Sequence, residues 1–501
     1  MTCQGVELSY DALNRRSNQL AHALIENGAQ RQDRVGIYMH KSLELGAAIY
    51  GILKAGCIFV PLDTLMPADR LSFIIRDCGI RHIISSNALS DALLPINEEQ
   101  SLHVYGVDTD NLNNKTSWSE IAQQPDTSPD LPIIDQELGY IMYTSGSTGV
   151  PKGMMHTHHG SITYARWGVE HVSLTPGDRV ASHAPLHFDL SIFDFFSTAQ
   201  AGATVVLVPE AVTRFPASWT NTIESERITV VFTVPYTLIT MFEQGAMEKR
   251  DLSSLRWILY GGEPFPPDML RRLMLTLEDV RFTNVYGPAE APSCTCYDVP
   301  LPAEGSNEPI PIGIVSRNST DIIVDDNDED CAIGQEGELC IRSSTLMVGY
   351  WNRPDLNERA YLFRESFGPF PLVYYRTGDR VVRQADGNLQ FIGRVDRMVK
   401  IRGHRVELDE VESVLAGHPG ISEAVAFVVP DGFDSLKIIA AATRPQGSVT
   451  DEADLLGYAR KKLPPYAMPA SIELLSALPH NSSGKINRKL LAEQWMNVHQ
   501  T

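Results

Sequence analysis

Strand-like apolar runs alternate with helical segments through the first 300 residues of this chain. In order, hydrophobic periodicity predicts a helix at 9–27, a strand at 34–39, a helix at 43–55, a strand at 57–61, a helix at 70–77 and a strand at 82–85. Further strand candidates lie at 204–208, 230–233, 257–260 and 282–286. This alternation favours α/β layers built on parallel sheets.

The most distinctive stretch in this part of the chain is YTSGSTGVPKG at residues 143–153. It follows a strand-like run at 139–143 and precedes a predicted helix. Its glycines let backbone N–H groups approach a ligand closely, its hydroxyls add donors, and Lys152 adds a positive charge. Such a loop can bind a polyphosphate. It is not a Walker A loop, because Lys152 follows Pro151 and precedes Gly153 rather than Ser or Thr.

The pattern changes after about residue 300, where short β-rich segments alternate with turns, and ADGN at 385–388 predicts a β-hairpin. The last elements are predicted as a helix at 408–415, strands at 424–429 and 436–443, and a helix at 451–462. They indicate a small α+β domain. We therefore expect a core domain over residues 1–395 and a smaller C-terminal domain over 396–501.

Charge and cysteine content narrow the functional classes. The net charge of −20 disfavours binding to nucleic acid or to an anionic membrane, although local N–H groups and a few cations still allow ATP binding. No apolar run reaches the ~18 residues of a membrane helix, and no signal peptide is visible. Seven scattered cysteines favour reduced thiols and a cytoplasmic location.

Further motifs extend along nearly the whole chain. They are LKAGCIFVPLD (53–63), FDLS (188–191), NVYGPAE (284–290), GELCIRSSTLMVGYW (337–351), YRTGDR (375–380), GRVDRMVKIRGHRVELDEVE (393–412) and SGKINR (483–488). In this order, and together with the loop at 143–153, they closely resemble the core motifs of nonribosomal peptide synthetase adenylation domains. These domains belong to the adenylate-forming superfamily.

This resemblance implies both a fold and a reaction. The fold would be an α/β multidomain one, with two α/β subdomains and a distorted β-barrel in the large N-terminal domain and a small, mobile α+β C-terminal domain. The enzyme would use ATP and Mg²⁺ to convert a carboxylate into an acyl-adenylate with release of pyrophosphate. A phosphopantetheine thiol would then displace AMP. No carrier motif follows Arg488, so we expect a separate carrier protein to be loaded in trans.

The resemblance also assigns the nucleotide-binding residues. The phosphate-loop members are Thr144, Ser145, Gly146, Ser147, Thr148 and Lys152. The adenine and ribose members are Gly261, Gly262, Asn284, Tyr286, Asp379 and Arg394. Two residues are implied to be catalytic: Glu290, which would hold Mg²⁺ together with Thr144, and Lys485, whose ammonium would stabilise charge developing on the α-phosphate.

Asp189 indicates the substrate class. In amino-acid-activating relatives its motif position carries a carboxylate that pairs with the α-ammonium group, as a buried carboxylate requires. The implied lining positions are Leu190, Phe193, Thr233, Ile258, Tyr260, Val285, Ser293 and Cys294. None is charged, so we expect a small neutral amino acid such as alanine, proline, threonine or aminobutyrate, with β-amino acids still open.

In the C-terminal part, the motifs imply a hinge at Asp396 and a pantetheine tunnel beside Gly403 and His404. Two other functions stay open: an acyl- or aryl-CoA ligase of the same superfamily, and a catalytically inactive binding partner. Asp189 disfavours the first, and retention of the catalytic residues disfavours the second.

Two patterns resemble metal sites but do not predict one. The HTHH sequence at 156–159 lacks accompanying carboxylates and is predicted at a helix start. The acidic run at 325–330 lacks the glycine and distal glutamate of an EF-hand, so a solvated turn between strands is expected.

Overall fold

The computed structural model describes residues 1–146, 150–366, 368–432, 435–480 and 486–499. The predicted site residues Ser147, Thr148 and Lys485 lie outside the described residues. Among the described residues, none of the helices is both long enough and apolar enough to cross a membrane.

The strands and helices have the following bounds. The strands are β1 (Thr2–Cys3), β2 (Val6–Glu7), β3 (Arg34–Tyr38), β4 (Ile58–Pro61), β5 (His82–Ser85), β6 (His103–Tyr105), β7 (Lys115–Thr116), β8 (Leu138–Thr144), β9 (Lys152–Thr157), β10 (Arg179–Ser182), β11 (Thr204–Leu207), β12 (Val230–Thr233), β13 (Trp257–Gly261), β14 (Arg281–Tyr286), β15 (Thr295–Asp298), β16 (Ile314–Val315), β17 (Ser319–Val324), β18 (Glu336–Ser343), β19 (Gly349–Tyr350), β20 (Tyr361–Arg364), β21 (Leu372–Arg383), β22 (Leu389–Arg394), β23 (Met398–Ile401), β24 (His404–Glu407), β25 (Glu423–Pro430), β26 (Leu436–Thr443) and β27 (Ser471–Leu475). The α-helices are α1 (Tyr10–Glu26), α2 (Leu43–Lys54), α3 (Ala68–Asp77), α4 (Leu94–Gln100), α5 (Trp118–Ile121), α6 (His158–Val172), α7 (Leu190–Ile192), α8 (Thr198–Gln200), α9 (Glu210–Thr213), α10 (Pro216–Ser225), α11 (Pro235–Gln244), α12 (Pro267–Thr276), α13 (Pro354–Ala360), α14 (Leu408–Ala416), α15 (Glu452–Arg460) and α16 (Arg488–His499).

The chain forms two compact units. Unit 1 contains Met1–Thr64, Ile75–Tyr143 and Gly153–Val395, and unit 2 contains Leu65–Ile74, Thr144–Lys152 and Asp396–Thr501.

A nine-stranded sheet carries much of the predicted site in unit 1. Its order is β16-β15-β14-β13-β12-β10-β11-β1-β2, and the strands from β14 to β1 run parallel. Both faces are covered, as the continuous apolar strand sequences require. On β13, Trp257 and Leu259 join one hydrophobic cluster, whereas Ile258 and Tyr260 join the cluster on the other face.

An eight-stranded sheet in unit 1 has the order β19-β9-β8-β4-β3-β5-β6-β7. Phe59 on β4 pairs with Tyr140 on β8, and their rings stack with centroids 5.4 Å apart. Tyr140 is therefore buried on β8, the strand that leads into the phosphate loop.

The third sheet of unit 1 is five-stranded and antiparallel, with the order β17-β18-β21-β20 and β22 paired to β21. The predicted hairpin at 385–388 joins β21 to β22, and Gly387 adopts the left-handed φ of +90° that the turn needs. The pairing places Asp379 directly opposite Arg394.

Unit 2 contains the hairpin β23–β24 and the three-stranded sheet β25-β26-β27. Its core includes Val406, Val411 and Leu415 from β24 and α14, and Leu455 from α15. The predicted α+β character of this region is confirmed.

Most predicted elements agree with the structure to within a few residues; His82–Ser85, Val230–Thr233 and Leu436–Thr443 agree to the residue. The helix start predicted at 156–159 is confirmed, since α6 begins at His158, where the Thr157 hydroxyl caps it by accepting a hydrogen bond from Gly160. Strand β9, which separates this helix from the phosphate loop, was not predicted.

Candidate active site

Tyr286, Asp379 and Arg394 form one hydrogen-bonded cluster in unit 1. The Tyr286 hydroxyl donates to one oxygen of Asp379 at 2.5 Å, and Arg394 donates to the other oxygen at 2.5 Å. The Asp379 residue is only 5% exposed. Burial and the adjacent carboxylate raise the pKa of Tyr286, so its phenol stays a neutral donor. The predicted adenine platform, ribose acceptor and ribose- or phosphate-contacting arginine are therefore in direct contact.

The predicted base-contacting backbone follows β13. A Cβ on Gly261 would lie 2.2 Å from the carbonyl oxygen of Val285, so only glycine fits beside β14. Gly262 adopts a φ of +93°, in the left-handed region. Asn284 is buried, and its amide donates to the carbonyl of Pro311 at 2.8 Å.

Glu290 is fully buried among tyrosines. The Tyr350 hydroxyl donates to its Oε1 at 2.7 Å and lies 3.3 Å from the Tyr375 hydroxyl. The backbone carbonyl of Glu290 accepts a hydrogen bond of 2.8 Å from the Met347 N–H. Burial, followed by the Glu290 charge, raises the pKa of Tyr361 to about 12. The buried Glu290 carboxylate thus accepts a hydrogen bond from a phenol.

His156 lies beside this carboxylate, and the sequence did not identify it as a site residue. It is 2% exposed on β9, and its ring stacks on Tyr140 with centroids 4.7 Å apart. Its imidazole interacts with Glu290 and with the backbone of Ala289 and Thr345, while burial lowers its pKa to about 4. The alternation of side chains along β9 could have predicted that His156 points into the interior. A single histidine in a strand, however, looks in sequence like any histidine of a buried core.

Asp189 occupies the N-cap position of α7, four residues before Phe193, and its side chain accepts no capping hydrogen bond from this helix. Its charge contributes to raising the pKa of both Tyr140 and Tyr164, in each case after burial. The Tyr164 side chain also interacts with Ser293, which has a φ of +51°. The charge of the predicted ammonium acceptor therefore acts on two buried phenols.

The structure brings together only some of the predicted pocket residues. Phe193 and Val285 belong to one hydrophobic cluster, against which Leu190 packs, whereas Ile258 and Tyr260 point to the opposite face of the nine-stranded sheet. These last two therefore do not share a face with Phe193, and their place in the pocket stays a prediction.

Two further predicted lining residues, Thr233 and Cys294, contact His183 and Tyr286, respectively. Thr233 lies with its hydroxyl 3.2 Å from Nδ1 of His183. The Cys294 thiol is fully buried and donates to the carbonyl of Tyr286 at 3.6 Å.

The start of the phosphate loop is anchored in unit 1. The Tyr143 hydroxyl donates to Asp77 at 2.5 Å, and the backbone N–H of Trp351 donates to the carbonyl of Gly153 at 2.8 Å. Trp351 also donates its indole N–H to the carbonyl of Asp77 at 3.0 Å. The last residue of the motif at 337–351 therefore supports both ends of the loop.

The described inner residues of the loop, 144–146 and 150–152, belong to unit 2. The buried hydroxyl of Thr144 has no hydrogen-bond partner among the described residues. The Ser145 hydroxyl donates to the carbonyl of Arg405 at 3.0 Å. A Cβ on Gly146 would lie 2.1 Å from the carbonyl oxygen of Val150, and Lys152 is buried at the start of β9.

The other predicted residues of unit 2 lie on or before the β23–β24 hairpin. A side-chain oxygen of Asp396 accepts a hydrogen bond of 3.2 Å from the Met398 N–H. Gly403 has a φ of +83° in the turn, and the ring of His404 stacks on Tyr466 at 4.0 Å.

Within the described ranges, His, Cys, Asp and Glu side chains form no group of three or more that could hold a metal. His159 instead pairs with Asp135 at 3.1 Å. In the acidic run, arginines pair with the carboxylates, including Arg364 with Asp330 at 3.2 Å. The run forms the turn between β17 and β18, as predicted.

Fold and site together define an adenylate-forming enzyme. Family models described as AMP-binding enzyme and AMP-binding enzyme C-terminal domain match residues 1–351 and 410–485. The chain belongs to the AMP-binding enzyme family.

Known relatives agree with this assignment. The chain is 35% identical over 489 residues to an L-proline–[L-prolyl-carrier protein] ligase of Pseudomonas fluorescens, covering 97% of this chain and 94% of the relative. It is 33% identical over 499 residues to tyrocidine synthase 1 of Brevibacillus parabrevis, covering 99% of this chain but 43% of that protein. The amide bond synthetase McbA of Marinactinospora thermotolerans has the same fold, with a TM-score of 0.88 at 24% identity over 99% of this chain and 97% of the other.

Proposed function

We propose that this enzyme activates a small neutral amino acid as aminoacyl-AMP, with release of pyrophosphate. It then transfers the aminoacyl group to the phosphopantetheine thiol of a separate carrier protein. The observation that carries this proposal is the position of Asp189 at the N-cap of α7, from where its charge acts on the buried phenols of Tyr140 and Tyr164. A carboxylate in such surroundings suits an α-ammonium group, which a simple carboxylic acid lacks.

L-proline is the substrate to test first. The proline ligase matches nearly the whole chain, and its name includes both an amino acid and a carrier protein. The apolar character of Phe193, Val285 and Leu190 agrees with an uncharged side chain. Alanine, threonine, aminobutyrate and β-amino acids are the competing substrates.

The nucleotide cluster gives the proposal its ATP site. Asp379 would accept hydrogen bonds from the ribose hydroxyls, Tyr286 would lie against adenine, and Arg394 would contact the ribose or the phosphates. Gly261 and Asn284 would contact the base. All of these residues belong to unit 1.

Mg²⁺ is proposed as the metal that accompanies ATP, and the chemistry of each implied ligand, taken by itself, suits it. Glu290 offers a carboxylate, and Thr144 offers a buried hydroxyl that has no partner within the described segments. Both are hard oxygen ligands of the kind that Mg²⁺ binds alongside phosphate oxygens. When bound, Mg²⁺ would neutralise part of the negative charge of the phosphates.

Lys485 and Asp396 complete the proposed machinery. The Lys485 ammonium would stabilise negative charge at the α-phosphate during adenylation. Asp396 would be the hinge residue that changes its backbone conformation between the two half-reactions. Gly403 and His404 would line the tunnel that admits the pantetheine. The cytoplasmic location likewise stays a proposal.

The test is ATP–pyrophosphate exchange, measured with each candidate amino acid and with its deaminated counterpart. Exchange with L-proline or another small amino acid, but not with the deaminated acid, is the expected result. Exchange with deaminated acids alone would overturn the assignment of Asp189. Thioester formation on coenzyme A rather than on a carrier protein would favour the CoA-ligase alternative.

A variant tests the machinery itself. Lys485→Ala should abolish exchange while ATP binding is retained, whereas Lys489→Ala, which changes an exposed lysine of α16, should behave as wild type. Full exchange by Lys485→Ala would contradict the role given to Lys485.

A further inference from the structure

A buried lysine lies at the carboxyl end of β10 in unit 1. Lys41 is 8% exposed, and its ammonium donates hydrogen bonds to the backbone carbonyls of Ser182 at 2.7 Å and His183 at 2.6 Å. These carbonyls are at the carboxyl end of β10, in the middle of the parallel part of the nine-stranded sheet. A lysine is rarely buried unless it has partners that compensate for its lost hydration.

The carboxylate whose charge acts most strongly on this lysine is Asp194. Asp194 is fully buried, and among the described residues neither of its oxygens meets the geometry of a hydrogen bond. Burial lowers the pKa of Lys41 to about 8, against the opposing effect of the Asp194 charge. A carboxylate in this position needs a neighbouring cation far more than a hydrogen-bonded surface carboxylate does.

Asp194 is part of the segment that carries the predicted substrate residues. It directly follows Phe193, and a π-helical stretch over Phe193–Ser197 continues from α7, whose N-cap is Asp189. A π-helical stretch inside a helix is uncommon and frequently occurs at functional sites. The Lys41 charge therefore acts on the same short segment that carries Asp189 and Phe193.

Lys41 also donates to the backbone of His183, which contacts Thr233, a predicted lining residue of the pocket. His183, whose carbonyl accepts from Lys41, lies with its Nδ1 3.2 Å from the hydroxyl of Thr233 at the end of β12. The His183 ring also stacks on Trp219 with centroids 5.3 Å apart, which fixes its orientation.

We propose that Lys41 is a positioning residue for the amino-acid subsite, acting through Asp194 on one side and through the carboxyl end of β10 on the other. One buried ammonium ties together the segment of Asp189 and Phe193 and the strand end next to Thr233. Neither contact reaches the nucleotide cluster of Tyr286, Asp379 and Arg394, so amino-acid binding should depend on Lys41 more than ATP binding does. This inference rests on the proposed function.

The test compares Lys41→Met, Lys41→Arg, Asp194→Asn and the double variant Lys41→Met/Asp194→Asn in ATP–pyrophosphate exchange. Lys41→Met should raise the KM for the amino acid by at least about ten-fold, since it leaves Asp194 buried without its cation, and should change the KM for ATP less than about two-fold. Lys41→Arg keeps the charge and should restore most of the affinity. In the Asp194→Asn background, the Lys41→Met effect should shrink to about three-fold or less, because the uncompensated carboxylate is gone.

Lys54→Met is the matched control. Lys54 lies on α2 and donates hydrogen bonds to Asn14, Ser17 and Asn18, so its loss also removes a partly buried, multiply bonded ammonium. It should lower the thermal midpoint without changing the KM for the amino acid.

The possible outcomes separate the hypotheses. Equal effects of Lys41→Met on both KM values, or strictly additive effects in the double variant, would overturn the positioning role and leave a structural one. If Lys41→Met does not fold, an unchanged amino-acid KM in Asp194→Asn would overturn the proposal. Failure of the proposed function would appear differently, as wild-type enzyme without amino-acid-dependent exchange.

Discussion

The Tyr286 hydroxyl donates a 2.5 Å hydrogen bond to the same Asp379 carboxylate whose other oxygen accepts from Arg394 at 2.5 Å. Both carboxylate oxygens are therefore oriented by the protein, on a side chain that is nearly buried. If Asp379 binds ribose as we propose, the ribose would meet an acceptor already in place, and less conformational freedom would be lost on binding.

Removal of the Tyr286 hydroxyl should weaken ATP binding selectively. Tyr286→Phe keeps the ring but deletes a hydrogen bond to a charged group, which is worth about 1.5–3 kcal/mol. We expect the KM for ATP to rise about ten-fold and the KM for the amino acid to stay within about two-fold, as measured by pyrophosphate exchange. Tyr297→Phe on the adjacent strand β15 is the control, and an unchanged ATP KM in Tyr286→Phe would contradict the coupling.

Asp189 should decide between amino acids and their deaminated counterparts. Asp189→Asn keeps the size of the side chain and removes the charge that we assign to the ammonium group. Breaking such a pair typically costs about 3–5 kcal/mol, so exchange with the amino acid should fall by at least about 100-fold in kcat/KM. Deaminated acids serve as the internal control, because their kcat/KM should not fall. An equal loss for both substrate types would show that Asp189 has only a structural role.

The hydrophobic pattern of the sequence predicted most helices and strands well. It could not predict how neighbouring strands align in a sheet. Strand Val230–Thr233 was predicted to the residue because apolar β-branched residues end abruptly at a proline. The pairing of Asp379 with Arg394 and the opposite directions of Tyr260 and Val285 depend on how neighbouring strands align, and a shift of one residue reverses every side chain. The motifs located Glu290, but its partner Tyr350 comes from 60 positions away in the chain.

The stability of the protein should fall between pH 6.5 and 4. Burial, followed by the neighbouring His103, lowers the pKa of His82 to about 4. Below pH 6.5 the unfolded chain therefore binds a proton that the folded state does not, and the free energy of unfolding falls as the pH drops toward 4, by roughly 2 kcal/mol after allowance for solvent screening.

Denaturant unfolding at pH 7 and pH 5 measures the part of this loss that develops above pH 5. His82→Gln should show a smaller difference between the two pH values than wild type, whereas His22→Gln, on the partly exposed face of α1, should not. A His82→Gln variant with the full wild-type loss would place the acid sensitivity elsewhere, for example at His183, whose pKa burial lowers to about 3.

His156 connects the surroundings of the two site carboxylates, since its ring stacks on Tyr140 and its imidazole interacts with Glu290 and the preceding backbone of Ala289. His156→Phe keeps the aromatic contact and loses the polar ones, whereas His156→Gln does the reverse. A lost hydrogen bond in a buried site costs about 1–3 kcal/mol, so His156→Phe should lower kcat by about ten-fold through displacement of Glu290, and His156→Gln should retain more activity. Met155→Leu, at the neighbouring position of β9, controls for general disturbance of the strand. If His156→Phe keeps the wild-type kcat and only lowers the thermal midpoint, His156 stabilises the core without orienting Glu290.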